Sequence, residues 1–167
     1  MFRVIGIDPG SRFTGYGVVE SSGNQLQHIS NGTVCMPARL SFPERLKMIY
    51  EELTTVIRDC RPQCMAIEDV FFAKNVKSAL KLGQARGAAI MAGVNSGLPI
   101  YEYSALQIKQ AVVGYGRASK DQVVQMIQYL FRLHGPLNAN AADALAAAIC
   151  HLNTCASRKR WVNSRQK

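Results

Sequence analysis

Residues 2–20 read FRVIGIDPGSRFTGYGVVE, and the kind of domain turns on how this stretch is parsed. FRVIGI is a short apolar run rich in β-branched side chains that stops at Asp8-Pro9-Gly10, a turn signal, so it predicts a buried strand. FTGYGVVE (13–20) and LQHISNGTVC (26–35), separated by SSGN, predict two further strands of an antiparallel meander. After that the period changes. In SFPERLKMIYEELTTVIRDC (41–60), Ser41 and Glu44 stand at capping-box spacing and Pro43 falls in the first turn. Leu46, Ile49, Leu53, Val56 and Ile57 recur at helical spacing, which predicts an amphipathic helix. CMAIEDV (64–70) is a short apolar strand with acids at its end. A long helix pattern (75–97), the strand PIYEYS (99–104) and helices in SALQIKQAVVG, SKDQVVQMIQYLFRL and NANAADALAAAICHL follow. Three meander strands and then strands alternating with helices predict an α/β domain with a mixed sheet. We place that domain at 1–153 and read 154–167 as a basic, disordered tail.

The 167 residues suit a single domain with its own core. Twenty Lys+Arg against eleven Asp+Glu give a net charge of +9, which favours a polyanionic partner such as nucleic acid. The last eleven residues, SRKRWVNSRQK, carry five of those cations and no acid, so the body is less basic than the whole. No run approaches the roughly 20 apolar residues of a membrane span, and the N-terminus lacks the regions of a signal peptide. A cytoplasmic protein with no membrane association is expected. The five cysteines form no CxxC pair, and the three histidines are read as not clustering with them, so free thiols are expected.

Asp8 directly follows one apolar strand and Glu68 ends another, the places where ligand sites gather in open α/β sheets. Taken singly, the first is equally a turn former and the second a solvent-facing strand cap. Asp143 tips the balance. It lies among Ala139, Ala142, Leu145, Ala146 and Ile149 on a helix with almost no polar face, and burying an unpartnered carboxylate is costly. No Lys or Arg stands three or four residues away, so its charge must be met from elsewhere in the fold or by a metal ion. If Asp8, Glu68 and Asp143 converge, they make an all-oxygen site suited to Mg²⁺ or Mn²⁺. Two such ions about 3.5–4 Å apart promote in-line hydrolysis of phosphodiesters, and beside a basic surface that chemistry suggests a nuclease.

Lys74, Lys77 and Lys81 stand at i, i+3 and i+7 on the long helix pattern and form a basic stripe suited to phosphates. Val76, Leu80, Gly83, Gly87, Ile90 and Val94 form an apolar one, open either to the sheet or to a second copy of the chain. Arg12, just past Asp8, and Arg117, in GYGRASK, are further phosphate candidates.

GIDPGSRFTGYGVVE, AIEDVFFAKNVKSALKLGQARGAA, QIKQAVVGYGRASKDQV and ANAADALAAAI, in this order and spacing, resemble the RuvC-type Holliday junction resolvases. The resemblance runs from about Met1 to His151. It implies a ribonuclease H-like fold, with a five-stranded mixed sheet in the order 3-2-1-4-5 flanked by helices, assembled as a homodimer. It also implies Mg²⁺-dependent cleavage, with two ions per site and Mn²⁺ as an alternative, of opposed strands at a four-way DNA junction during recombination and repair. The RuvA–RuvB branch-migration complex is the implied partner.

Carried over position by position, the family's first, second and last acids fall on Asp8, Glu68 and Asp143. The third falls on Asn140, where the family generally has Asp. An asparagine offers a metal one neutral oxygen but removes a charge, so this form is expected to cut poorly. Asn140 is equally a good helix cap, a role that Asn138 could also fill. Lys109 and Lys120 match family lysines near the active site, and Phe71 matches an aromatic that engages a base at the junction. Two alternatives stand beside this reading. One is a junction-binding protein that does not cut. The other is a fragment of an actin-like or sugar-kinase ATPase, whose phosphate-binding turn GIDPGS also resembles but whose second core copy would not fit in 167 residues.

Overall fold

The computed structural model describes residues 1–164 apart from Asn24 and 70–74, with side chains through Ala156. The sequence expectations for Phe71 and Lys74 therefore lie outside the described residues. Strand β1 (Phe2–Asp8) pairs antiparallel with β2 (Phe13–Ser22), which pairs antiparallel with β3 (Gln25–Cys35). Helix α1 (Phe42–Cys60) then returns the chain to β4 (Cys64–Asp69), parallel to β1, and α2 (Val76–Asn95) leads to β5 (Ile100–Ser104), parallel to β4. Helices α3 (Ala105–Val113), α4 (Lys120–Phe131) and α5 (Ala139–Ser164) complete the chain. The sheet order β3-β2-β1-β4-β5 is the one expected.

Local chemistry starts and stops these helices. The Glu44 carboxylate accepts the Ser41 N–H at 2.7 Å, the reciprocal contact of a capping box, and hydrogen bonding from the Ser41 side chain, then from its backbone, holds the Glu44 pKa below the usual glutamate value. Ser104 with Gln107 and Ser119 with Gln122 cap α3 and α4 in the same way.

The period of two along the strands sorts the core into two layers. Ile5, Ile7, Val18, Met65 and Ile67 face α1 and α2, where they meet Ile49, Leu53, Ile57, Ala85, Ala89 and Ala92. Val4, Val19, Cys64, Ala66 and Tyr103 face α3, α4 and α5. The second face is packed backbone to backbone. A Cβ added at Gly6 would lie 1.9 Å from the Ala144 carbonyl oxygen, one at Gly15 would lie 2.0 Å from the Asn140 carbonyl oxygen, and one at Gly17 would lie 2.6 Å from Leu145 Cγ. Three glycines on neighbouring strands thus open a trough, and the alanine-rich start of α5 lies down in it. Ala141, Ala142 and Ala144 to Ala148 are fully buried as a result.

The structure adds detail to several expectations. α5 runs on to Ser164, past the boundary placed at residue 153. The buried side of α2 is Ala85, Ala89, Ala92 and Gly93. Of the apolar stripe read as open to the sheet or to a second copy, Ile90 packs against the core, Val76, Leu80 and Val94 are exposed, and nothing lies within 4 Å of a Cβ placed at Gly83 or Gly87. The five cysteines are free as expected, but His151 does stand beside one, with Nε2 3.3 Å from Cys155 Sγ.

Candidate active site

Counting along β1 and β4 by twos places Asp8 after Val4 and Gly6, and Glu68 after Cys64 and Ala66, both on the face covered by α5. The parallel register Ile7↔Ile67 makes these two acids the next neighbours, on strands about 5 Å apart. Asp8 is held at a fixed turn. The buried Thr14 hydroxyl donates to the Gly10 carbonyl at 2.8 Å and accepts the Gly10 N–H at 3.3 Å, closing the loop after β1.

Asp143 comes from α5. Its helix start is capped by Asn138, whose side-chain oxygen accepts the Asn140 N–H at 2.9 Å. The glycine trough lets that helix lie deep enough for Asp143 to join Asp8 and Glu68 in lining one cavity of about 210 Å³, together with Ala105, Ile108, Lys109, Lys120 and Val123. Three separate elements thus deliver three carboxylates, while α3 and the start of α4 deliver two amines. Lys120 Nζ stands 3.3 Å from Asp143 Oδ2, so the cation that the α5 sequence lacks arrives from α4.

The charges are under tension. Burial, then the nearby Glu68 and Asp143 carboxylates, push the Asp8 pKa up to about 7 against the pull of Lys120. Burial and Asp143 likewise raise Glu68, opposed by Lys120 and Lys109. Burial disfavours the Lys120 ammonium, but Asp143, Asp8 and Glu68 outweigh it, and the pKa of the amine is raised. Among the described residues no three His, Cys, Asp or Glu side chains form a finished metal-holding group, so the acids share a cavity without closing a coordination shell. The donor set nevertheless fits a hard divalent cation: it is all carboxylate oxygen, without imidazole or thiol, and it carries a mutual repulsion that such an ion would relieve.

A family model described as crossover junction endodeoxyribonuclease RuvC matches residues 4–151. The chain belongs to the RuvC family. It is 57% identical over 152 residues to the crossover junction endodeoxyribonuclease RuvC of Geobacter sulfurreducens, covering 91% of this chain and 93% of that one. Among solved structures it is similar to Thermus thermophilus RuvC in complex with Holliday junction substrate, with a TM-score of 0.84, 34% identity, and coverage of 91% and 93% of the two chains. The yeast mitochondrial Holliday junction resolvase Ydc2 shares the fold, with a TM-score of 0.70 at 12% identity, covering 97% of this chain and 82% of that one. As a member of the RuvC family the chain is a metal-dependent endodeoxyribonuclease that resolves Holliday junctions.

Within this RuvC fold, Asp8, Glu68, Asp143, Lys109 and Lys120 line one cavity. Asn140 sits one turn before Asp143, half-buried and with its backbone against Gly15, but it is not among the described residues lining the cavity. Arg12 is exposed beside Phe13, its guanidinium 5.9 Å from the ring centre. Arg117 is exposed in the loop between α3 and α4. Lys77 and Lys81 are exposed on α2, and Lys81 Nζ lies 5.6 Å from the centre of the Phe42 ring.

One supporting residue escaped the sequence reading. Arg86 Nε donates to the Glu68 backbone carbonyl at 3.2 Å, and its Nη2 pairs with Glu102 and, at 3.6 Å, with Asp69. It therefore ties the end of β4 to β5 directly behind a cavity acid. The signal was available, because Arg86 is a lone cation within the apolar run LGQARGAAIMAGV and Asp69 and Glu102 wait at strand positions on that same face.

No helix among the described residues is long and apolar enough to cross a membrane.

Proposed function

We propose that this chain cuts opposed strands of a four-way DNA junction at the cavity lined by Asp8, Glu68 and Asp143. The observation that carries this assignment is the delivery of three carboxylates by three separate elements into one cavity that also holds Lys109 and Lys120. Two Mg²⁺ ions, with Mn²⁺ as an alternative, would supply Lewis acidity at the scissile phosphate and a nucleophile at neutral pH. Asp8, Glu68 and Asp143 hold them, with the amide oxygen of Asn140 as a fourth, neutral donor. Lys109 orients the phosphate and offsets its developing charge. Lys120 fixes the Asp143 carboxylate until the phosphate takes over part of that pairing. Junction DNA is held by phosphate contacts from Lys77, Lys81, Arg12 and Arg117, with Lys74 and the base contact of Phe71 completing the set.

The active form is a homodimer, because paired nicks on a two-fold junction need two sites related by a two-fold axis. The apolar stripe of α2, exposed at Val76, Leu80, Met91 and Val94 and stripped of side chains at Gly83 and Gly87, supports this assembly. RuvA and RuvB are its partners on the junction, and the reducing cytoplasm, where the five thiols stay reduced, is its compartment.

Asn140 makes the site one charge short, so metal affinity and cutting are both reduced. Assaying this chain beside Asn140→Asp on a synthetic four-way junction with Mg²⁺ tests the assignment. Asp at 140 should lower the Mg²⁺ concentration needed for half-maximal cutting and raise the rate by at least about tenfold. Equal cutting by both forms would remove position 140 from the metal site.

A further inference from the structure

The loop between α3 and α4, residues 114–119, joins two helices that line the acidic cavity, α3 through Ala105, Ile108 and Lys109 and α4 through Lys120 and Val123. It is anchored along its length. Gly114 takes a left-handed conformation (φ 87°) and its N–H donates to the Gln110 carbonyl at 3.0 Å, closing α3. Gly116 presses on Leu106, where an added Cβ would meet Leu106 Cδ1 at 2.0 Å, so the loop folds back over the first turn of α3. Ala118 is buried and Ser119 caps α4. Between these anchors stands Tyr115, 47% exposed, next in the chain to the Gly116 that packs on Leu106, itself 60% exposed, and two residues before the exposed Arg117.

Exposing a tyrosine and a leucine on the segment that joins two cavity-lining helices has no use in holding the fold. On the resolvase reading, a phosphate bound at Lys109 and Lys120 would bring its own nucleotide, or the neighbouring one, toward the loop that connects them. We propose that Tyr115 is a specificity-determining residue for the DNA strand being cut: its ring stacks on the base beside the scissile phosphate, Leu106 extends the apolar surface, and Arg117 pairs with the adjoining phosphate. A base freed from its stack gains a π-face to lie on, and the aromatic ring needs no hydroxyl for this. The inference rests on the proposed function above and names the part of the site that reads the strand.

The test uses the full chain and four-way junctions carrying 2-aminopurine at positions flanking the cut, in EDTA so that binding is read without cleavage. The expected result is a change in 2-aminopurine fluorescence at one or two of those positions. Tyr115→Ala should abolish it and weaken junction binding at least about fivefold, the lower end of what one base–aromatic stack contributes. Tyr115→Phe should retain both. With Mg²⁺ in the Asn140→Asp background, Tyr115→Ala should also narrow the spread of cutting rates across base substitutions at that position. If Tyr115→Ala gives the same fluorescence change and the same spread of rates, or if Tyr115→Phe loses them equally, the stacking role is wrong while the resolvase assignment stands. If the unmodified chain binds the junction no better than linear duplex, the resolvase assignment itself fails and the stacking role with it.

Discussion

The two faces of the sheet are built from different materials. Toward α1 and α2 the strands present Ile5, Ile7, Val18, Met65 and Ile67, which meet Ile49, Leu53 and Ile57 through side chains of full size. Toward α5 they present Gly6, Gly15 and Gly17, and the helix answers with a row of buried alanines. The first face removes a large apolar area from water and stabilises the domain in proportion to that area. The second forgoes much of that gain and achieves proximity instead, because with no side chains between them the helix backbone meets the strand backbones. Only on that face could an acid on α5 reach the cavity that holds Asp8 and Glu68. Stability and the proposed chemistry are therefore assigned to opposite sides of one sheet.

Substitutions on each face should separate the two effects. The largest expected effect is from Gly6→Ala. Its methyl group would collide with the Ala144 carbonyl, and α5 must lift. We expect a loss of ~3 kcal/mol or more in stability, together with a fall of about 10²-fold in cutting per folded molecule, as expected when a catalytic group is displaced by about 1 Å. Denaturant unfolding and single-turnover cleavage in the Asn140→Asp background measure the two effects separately. Unchanged cleavage would mean that the close approach of α5 is not what builds the site.

Leu53→Ala on the opposite face is the counterpart. It leaves a cavity among fully buried side chains and should cost about 2–5 kcal/mol of stability. The cutting rate of the molecules that remain folded should not change. A parallel loss of rate and stability would show that the faces are not independent.

The third effect is smaller and depends on pH. The folded-state pKa of Asp8, at about 7, lies above its ordinary value of 3.8, so folding takes up a proton between those limits. The stabilisation is complete below the lower value and is lost as pH rises through the upper one. Metal-free protein should therefore lose stability from pH 4 to 7, by on the order of 1–2 kcal/mol once solvent screening of this partly exposed group is allowed for. Asp8→Asn should flatten part of that slope, leaving the share due to Glu68, and should raise the melting temperature at pH 8 by several degrees. A melting profile unchanged by the substitution would remove the repulsion inferred among the acids. The smallest effect is expected from Ser41→Ala, which removes the α1 cap for about 1 kcal/mol and leaves both cutting and its pH dependence alone.

Much of this was legible along the chain. Strand alternation, the Ser41–Glu44 cap and the change of period after residue 40 are local features, and they predict elements that match the structure closely. Asp8 and Glu68 were legible because a strand that ends on an acid announces itself. The destination of α5 was not. Its alanines say only that it is buried, and the glycines that receive it lie far away in sequence, where singly they look like turn or bulge residues. The α2 stripe left two partners open for a related reason: its period is helical, but a helix with small residues on one side and larger apolar ones on another can bury either, and here the alanines went inside. Arg86 was missed because its partners lie on two strands that only the sheet brings side by side.

The amino-acid sequence by itself determined the elements, their order and the identity of the acids, because caps, turns and hydrophobic period act within a few residues. Only the tertiary structure decided that Lys120 would answer Asp143, that Arg86 would brace Glu68 and that the loop at Gly116 would fold back onto Leu106. Those pairings depend on distances between elements, and such distances are set by the packing of side chains that no local pattern specifies.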